Sequence, residues 1–193
     1  MSVLWTSPKC GAPQWRAIFG NDHPVEIEIG PGTGTFLIWI AEREPNINYF
    51  AIERAWRRHR HLQERLDKRV YPNVRLVAGD AACIVENLVA HGSVAAFHIY
   101  FPDPWWKKRH QPRRLLTPAL AQTLHRTLAD DGAVYFASDV ELVDGLARAA
   151  FLGSGLFELD PERRSPRSVQ TSFERKGLAR GHRIYDAVFI KRL

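Results

Sequence analysis

Short apolar stretches recur along the chain, and most are followed by a stretch with helical spacing. Residues 25–29 carry apolar side chains at every second position, which predicts a strand. The same pattern predicts further strands over 47–53, 74–78, 95–101, 133–137, 156–159 and 182–191, and helices over 35–42, 55–68, 81–90, 118–128 and 141–152. Strands separated by helices are typical of an α/β fold with a doubly wound sheet.

The length of 193 residues is sufficient for one α/β domain with a substantial core and is short for two. We interpret residues 1–24 as a short leader that packs on the domain, and residues 25–193 as that single domain. Residues 161–170 are rich in Arg, Ser and Pro, which predicts a loop that is mobile without its partner. In doubly wound sheets, ligands bind at the carboxyl ends of the strands.

The first predicted strand ends in a turn with a glycine at every second position, at Gly30, Gly32 and Gly34. Strand, glycine turn and helix together present backbone N–H groups to a nucleotide-like ligand. Either Thr33 or Thr35 is available as the N-cap of the helix. Glu28 precedes the glycines, where its carboxylate would repel a phosphate. This spacing therefore favours S-adenosylmethionine (SAM), which carries ammonium and sulfonium charges, over NAD.

An acidic residue stands at the carboxyl end of each of five predicted strands: Glu28, Glu53, Asp80, Asp103 and Asp139. Glu53 follows the glycine turn at the distance expected of an acceptor for the ribose hydroxyls of an adenosine, with an ordinary solvated acid as the alternative. Asp80 can cap the next helix, accept from the adenine amino group, or do both. Glu28 either accepts from loop N–H groups or anchors the amino end of SAM.

Asp103 lies between two prolines and is followed by Trp105 and Trp106. The prolines fix the backbone on both sides of the carboxylate, which predicts an acid held rigidly opposite the glycine turn. A turn that needs Pro-Asp-Pro for its shape alone is the alternative. Aromatic side chains and cations directly after the acid favour a site that holds a nucleobase edge and nearby phosphates.

Basic residues outnumber acidic ones, 27 to 21, and the net charge is +6. Three basic segments flank the predicted strand ends, within 107–114, 163–167 and 175–183. We interpret them as a cationic rim round an acidic pocket, as expected of an enzyme that acts on a polyanion. Arg57, Arg58 and Arg60 lie on an exposed helix face, and we expect them to be solvated.

Several other functional classes lack support in the sequence. The two cysteines are too few for a disulfide framework, and neither C-x-x-C nor histidine spacing indicates a metal site. No run of apolar residues approaches the ~18 that a membrane span needs, and the first residues lack the pattern of a secretory signal. We therefore expect a cytoplasmic protein with no metal and no membrane partner.

With these motifs in place, the chain resembles the bacterial-type tRNA (guanine-N7-)-methyltransferases, which are class I SAM-dependent enzymes. The resemblance covers about residues 24–191. It rests on Glu28-Ile29-Gly30-x-Gly32-x-Gly34, Ile52-Glu53, Asp80-Ala81, Pro102-Asp103-Pro104-Trp105-x-Lys107-x-Arg109-His110-x-x-Arg113-Arg114, Ser138-Asp139, Thr171-x-Phe173-Glu174-x-x-Gly177 and Gly181-His182. The Pro-Asp-Pro-Trp block with the basic residues that follow it is nearly specific to this family.

The resemblance implies a mostly parallel, seven-stranded, Rossmann-like sheet with an antiparallel last strand. It also implies methyl transfer from SAM to N7 of guanine 46 in the tRNA variable loop, by a monomer or homodimer. The implied cofactor-binding residues are Glu28, Gly30, Gly32, Gly34, Glu53, Asp80 and Asp103, and Asp103 is also the catalytic candidate. The implied substrate-binding residues are Lys107, Arg109, Asp139, Thr171 and Glu174.

The sequence departs from the family pattern in its glycine turn, which has Pro31 and Thr33, and at 168–170, where an arginine-proline pair is absent. Guanine N7 carries no proton at neutral pH, so the resemblance predicts catalysis mainly by positioning. Two alternatives stay open: a SAM-dependent methyltransferase of another RNA or a small molecule, and a non-catalytic RNA-binding protein on the same scaffold. A nicotinamide oxidoreductase is disfavoured by the acid before the glycines.

Overall fold

Strands and helices alternate along the chain in the predicted order. A computed structural model describes residues 15–169 and 172–192. The strands are β1 (Val25–Ile29), β2 (Asn48–Glu53), β3 (Val74–Ala78), β4 (Val94–Tyr100), β5 (Leu128–Ser138), β6 (Phe157–Leu159) and β7 (Tyr185–Lys191). The helices are α1 (Trp15–Phe19), α2 (Thr35–Arg43), α3 (Trp56–Leu66), α4 (Ala81–Leu88), α5 (Pro118–Thr127), α6 (Glu141–Phe151) and α7 (Ser172–Ala179), with a 3₁₀ helix at Lys108–Arg113.

Within the described residues, the strands form one seven-stranded sheet in the order β3-β2-β1-β4-β5-β7-β6. The pairs among β1 to β5 are parallel, and β7 is antiparallel to both of its neighbours. The predicted fold class, with its antiparallel last strand, is confirmed. The chain leaves β1 in one direction along the sheet and returns to β4 in the other, so the topological switch point lies between these two strands.

Each face of the sheet is covered by its own hydrophobic layer. Helices α4, α5 and α6 cover one face, where Phe97, Phe136 and Phe151 are buried. Helices α2 and α3 cover the other face, around Phe36 and Leu62. With both faces covered, the carboxyl edge of the parallel strands is the place where backbone groups are open to a ligand. No helix within residues 15–169 and 172–192 is long and apolar enough to cross a membrane.

Part of the segment interpreted as a leader is helical. The Trp15 indole N–H of α1 donates to the Ser93 carbonyl oxygen at 2.9 Å, and its ring centroid lies 5.3 Å from that of Phe50. Phe19 joins the core below α4 and α5. Residues 1–14 lie outside the described residues, and the domain boundary at residue 24 stays a prediction.

Three element boundaries differ from the prediction for identifiable reasons. Strand β5 begins at Leu128, not at 133, because extra residues bulge out between the pairs Val94↔Leu128 and Ala96↔Ala133. Helix α7 was not predicted. Its end is closed by the N–H of His182, which donates to the Gly177 carbonyl oxygen at 3.0 Å, so the last strand starts at Tyr185 and not at 182.

Candidate functional site

A cavity of about 400 Å³ opens at the carboxyl edge of the sheet, across the topological switch point. Its size lies in the range of about 300–1,000 Å³ that small-molecule sites occupy. The wall comes from the ends of β1, β2 and β4, from the glycine turn, and from the segment after β3. Predicted site residues in this wall are Glu28, Gly30, Gly32, Glu53, Asp80 and Asp103.

The glycine turn adopts a left-handed backbone at all three glycines, with φ of 72° at Gly30, 58° at Gly32 and 73° at Gly34. Gly34 is itself the N-cap of α2, so the prediction of a threonine cap is wrong. The hydroxyls of Thr33 and Thr35 lie 3.2 Å apart and contact each other instead. Gly34 lies outside the cavity wall, and a Cβ there would overlap Leu62 of α3. Its small size lets α2 and α3 pack closely.

Glu28 is a buried acid in the cavity wall, with 3% of its surface exposed. Its Oε2 atom is buried and has no hydrogen-bond partner. Burial, with a smaller contribution from the charge of Glu53, raises the pKa of the Glu28 carboxyl to about 8. A carboxyl in this state is prepared for a cation, because an ammonium group would satisfy the oxygen and lower the pKa again.

Glu53 holds the glycine turn in place. Its Oε2 accepts from the Gly32 N–H at 3.1 Å, and its Oε1 accepts from the Ala55 N–H at 2.7 Å. Each carboxylate oxygen has a second lone pair, so both remain able to accept from a ligand. This structural function was not predicted from the sequence, and it is compatible with the predicted function towards ribose hydroxyls.

Asp80 is the N-cap of α4, where its Oδ1 accepts from the Cys83 N–H at 3.2 Å. Its other oxygen lies 3.5 Å from Arg54 Nη1, and both side chains are about half exposed. The residue also lines the cavity. Capping is therefore confirmed, for a residue that also contributes to the cavity wall.

Asp103 follows β4 in a strained turn. Phe101 and Trp105 both have a left-handed backbone, with φ of 52° and 47°, and no other non-glycine residue of the described chain does. Such a conformation costs of order 1 kcal/mol or more and persists where the surroundings enforce it. The two strained positions and the two prolines fix the Asp103 carboxylate, which lies 3.9 Å from Arg58 Nη1.

Four predicted substrate-binding residues of the described chain lie outside this cavity. Lys107 caps the 3₁₀ helix, and Arg109 is exposed within it. Asp139 follows β5 and accepts from His182 Nδ1 at 3.3 Å. Glu174 of α7 is buried and forms an ion pair with Arg167. Thr171 lies outside the described residues.

The structure places four arginines in the cavity wall: Arg113 and Arg114 belong to the predicted cationic rim, whereas Arg54 and Arg58 were not predicted there. Arg58 lines the cavity beside Asp103, so the expectation that it is merely solvated is wrong. Arg54 lines it beside Asp80, and Arg113 and Arg114 close its outer side. Arg113 and Arg114 belong to the motif block after Asp103, which was the available signal. Arg58 gave none, because only the position of α3 over the β4 turn brings it there.

Solved structures of methyltransferases share this fold. The 16S rRNA methyltransferase KamB is 15% identical with a TM-score of 0.66, and the match covers 92% of this chain and 93% of that chain. A SAM-dependent methyltransferase from Aquifex aeolicus is 12% identical with a TM-score of 0.59, over 90% of this chain and 85% of that one. At these identities the similarity shows the fold alone.

Similarity in sequence is more specific. Residues 22–187 match a family model described as a putative methyltransferase. A tRNA (guanine-N(7)-)-methyltransferase from Myxococcus xanthus is 36% identical over 190 residues, which are 93% of this chain and 89% of that protein. A protein of the same name from Geobacillus sp. is 35% identical over 177 residues, which are 89% of this chain and 80% of that protein. The family expected from the motifs is confirmed, and the chain belongs to the tRNA (guanine-N7-)-methyltransferases.

Proposed function

We propose that this protein transfers the methyl group of SAM to N7 of guanine 46 in the variable loop of tRNA. The observation that carries the proposal is the meeting, in one cavity, of the glycine turn, the buried and unpartnered Glu28 carboxyl, and the rigid Asp103 carboxylate. The names of the relatives support tRNA as substrate and guanine N7 as the acceptor atom.

The cavity fits the chemistry of SAM. The orphaned oxygen of Glu28 has the place of an acceptor for the ammonium group, and Gly30 and Gly32 leave open space where a backbone can approach the ligand closely. Glu53 is proposed to accept from the ribose hydroxyls and Asp80 from the adenine amino group. Gly34 acts on the cofactor site only indirectly. It is the N-cap of α2, and its lack of a side chain leaves room for Leu62 of α3. Bound SAM supplies a methyl group attached to a positively charged sulfur.

The acceptor atom needs no general base, because guanine N7 has an in-plane lone pair and no proton at neutral pH. A bond forms from N7 to the methyl carbon while the carbon–sulfur bond breaks, and the positive charge passes to the purine. Asp103 is proposed to accept from the N1–H and N2–H₂ edge of guanine and to stabilise that charge. Because the turn that carries Asp103 is already fixed in the free protein, binding of the substrate costs little conformational entropy there.

The remaining motif residues are assigned to the tRNA substrate. Asp139 directly follows β5, next to β4 in the sheet, and Glu174 is fixed by Arg167. We assign both to the guanosine, together with Thr171 from the same motif. Lys107 and Arg109 are exposed cations on the adjoining segment and are assigned to tRNA phosphates. A paired base would have to leave its stack, which costs a few kcal/mol.

The decisive experiment is transfer of labelled methyl from SAM to an unmodified tRNA transcript, followed by digestion and identification of the labelled nucleoside. The matched control is a transcript in which the variable-loop guanosine is replaced by adenosine. The expected result is label in 7-methylguanosine that disappears in the control.

Two outcomes would contradict the proposal. Tight SAM binding without transfer to any tRNA would favour another RNA or a small molecule as substrate. RNA binding without SAM binding would favour a non-catalytic protein on this scaffold.

A further inference from the structure

A second cavity, of about 590 Å³, opens where the short strand β6 ends. It is bounded by the segment that follows β6, by the start of β7, and by α6. Its charged wall residues are four arginines and two aspartates, Arg148, Arg163, Arg164, Arg167, Asp160 and Asp186. The formal charge of the wall is therefore positive.

Two of the four arginines are already neutralised. Arg148 Nε donates to Asp144 Oδ2 at 2.8 Å. Arg167 forms ion pairs with Glu174 and with Asp186, the latter at 2.7 Å. These contacts leave no surplus charge on either arginine, so their function is to hold the cavity together.

Arg163 and Arg164 differ from the other pair. Within residues 15–169 and 172–192 no carboxylate forms an ion pair with either of them, and both are exposed. Arg163 Nε donates to the Tyr135 hydroxyl at 2.9 Å, and its guanidinium carbon lies 5.4 Å from the centre of that ring. Arg164 donates to the Pro161 carbonyl oxygen. Both guanidinium groups are thus positioned by neutral partners and keep their charge available.

The backbone that carries these two arginines is also fixed. Asp160 Oδ1 accepts from the Glu162 N–H at 3.0 Å and from the Arg163 N–H at 2.9 Å. The Asp160 carboxylate is therefore occupied by the turn and does not neutralise the guanidinium groups beside it. Two adjacent cations on a fixed turn, with no anion of their own, are a suitable arrangement for a phosphate group, which guanidinium binds through paired hydrogen bonds.

The position of the cavity identifies the source of that phosphate. Strand β7 starts beside the carboxyl end of β5, with Tyr185 opposite Ser138, and the next residue, Asp186, lines this cavity, so one side of its wall lies at the same edge of the sheet as the first cavity. The sheet order places Asp139, which follows β5, between the two cavities. They also share a wall, because the Tyr100 hydroxyl of the first lies 2.8 Å from the Ser165 hydroxyl of the second.

We infer that the cavity next to Arg163 and Arg164 binds a backbone phosphate of the substrate tRNA, close to the guanosine that is methylated. The inference rests on the proposed function, because it takes the guanosine to lie between the cavities. Phosphate contacts of this kind fix the register of the strand and read no sequence. They would hold the extruded nucleotide from its backbone while Asp103 and Glu174 hold its base.

The test uses the full chain and the double variant Arg163→Gln/Arg164→Gln. The matched control is Arg43→Gln. Arg43 is also exposed and also lies over an aromatic ring, at 4.5 Å from the centre of Trp39, but at the opposite edge of the sheet. We expect the KM for unmodified tRNA to rise about tenfold in the double variant, from the loss of charge-assisted contacts. SAM affinity should stay unchanged, which also shows that the fold is intact.

The salt dependence of tRNA affinity gives a second readout. The slope of log Kd against log salt should become shallower by about 0.7 to 0.9 for one lost phosphate contact. Arg164→Gln alone should show part of both effects, and because Arg164 contacts only a backbone carbonyl its removal leaves the packing on Tyr135 intact. The Arg43→Gln control should match the wild type in both measurements.

A neutral methylphosphonate at single linkages flanking the target guanosine assigns the phosphate. At one linkage, the methylphosphonate should weaken binding to the wild type about as much as the double substitution weakens binding to normal tRNA. At that same linkage, the double variant should bind the methylphosphonate tRNA as well as it binds normal tRNA. If the double variant matches Arg43→Gln while the wild type forms 7-methylguanosine, the inference is wrong and the proposed function stands. That result would instead favour an acidic protein segment as the ligand of the second cavity. If the wild type forms no 7-methylguanosine, the proposed function fails and the inference fails with it.

Discussion

The two cavities at the carboxyl edge of the sheet handle charge in opposite ways. In the first, the ionisable group that matters most is Glu28, which is buried, has an oxygen without a partner and needs a cation beside it to hold a charge at neutral pH, because burial raises its pKa to about 8. In the second, the available charges are those of Arg163 and Arg164, which are exposed and rest on neutral groups. A buried charge discriminates strongly and costs folding energy, whereas exposed charges add affinity at little cost. The proposed small cationic ligand, SAM, is thus recognised by a buried group, and the proposed large anionic ligand, tRNA, by exposed groups.

The largest expected effect concerns Asp103, in the wall of the first cavity. Asp103→Ala should lower the methyl-transfer rate about 10²-fold or more. It removes the group that orients the guanine and that stabilises the positive charge which the guanine acquires. SAM affinity should change much less. Single-turnover transfer and equilibrium SAM binding check the two quantities separately. Asp103→Asn, which keeps an acceptor oxygen, should lie between the wild type and Asp103→Ala. Full turnover by Asp103→Ala would remove Asp103 from the catalytic assignment.

The contrast between buried and exposed charge is sharpened by Glu28→Gln. This variant should weaken SAM binding about 100-fold, because it removes the anion opposite a buried ammonium group. Glu26→Gln is the matched control. Glu26 lies on the same strand but pairs with His98 Nε2 at 2.7 Å and does not line the cavity. Equal losses in the two variants, measured by equilibrium dialysis, would mean that Glu28 only supports the strand.

The folding cost of Glu28 appears in the pH dependence of stability. Its pKa is raised to about 8 by burial, so its contribution to stability is fully present below its unfolded pKa of 4.5 and is lost as the pH rises through 8. Without SAM, Glu28→Gln should therefore gain stability relative to the wild type as the pH rises, by roughly 2 to 3 kcal/mol between pH 5 and pH 7. Urea unfolding of both proteins at pH 5, 6, 7 and 8 measures this. A difference that is independent of pH would contradict the raised pKa.

The glycine turn offers a comparison between Gly30, in the wall of the first cavity, and Gly34, outside it. Gly34→Ala should destabilise the fold by about 1 to 3 kcal/mol, because the new methyl group meets the packed Leu62 side chain. Gly30→Ala has the same left-handed strain but open space within 4 Å, so its cost should be limited to about 1 kcal/mol. Denaturant midpoints order the two variants. The reverse order would mean that the strain, and not the packing of α2 on α3, determines the choice of glycine.

The smallest effect is expected at Arg58, the cation nearest to Asp103 in the acidic cavity. At 3.9 Å, and with both side chains about half exposed, the pair should contribute about 1 kcal/mol or less. Arg58→Gln should therefore lower kcat only a few-fold, while Arg57→Gln on the same helix should leave kcat unchanged. A loss as large as that of Asp103→Ala would place Arg58 in direct contact with the reacting groups.

Much of the fold was predictable because the relevant signals are local. The alternation in β1 and the position of Asp80 directly before a helix are properties of adjacent residues, and both predictions are confirmed. The start of β5 was not predictable in this way, because its first residues pair with β4 only through a bulge. Helix α7 was missed since Gly177 lies inside it, and a glycine within a helix lowers the expectation of one.

The site was predictable as a set of acids and much less as a set of contacts. Sequence order brought Glu28, Glu53, Asp80 and Asp103 to one edge, and all four line one cavity. Which backbone groups Glu53 holds, and which arginine stands beside Asp103, depend on how loops and helices distant in sequence come together. Such contacts produce no periodic pattern or fixed spacing in the sequence, so they could not be predicted from it.

The raised pKa of Glu28 has a calorimetric consequence. At pH 6.5 the carboxyl of the free protein carries its proton, and it must give that proton up to hold an ammonium group. SAM binding would then release close to one proton into the solution, and the buffer would take it up. Titrations in phosphate and in imidazole, whose ionisation enthalpies differ widely and which both buffer at this pH, should thus report different heats for the same affinity. In Glu28→Gln that difference should vanish.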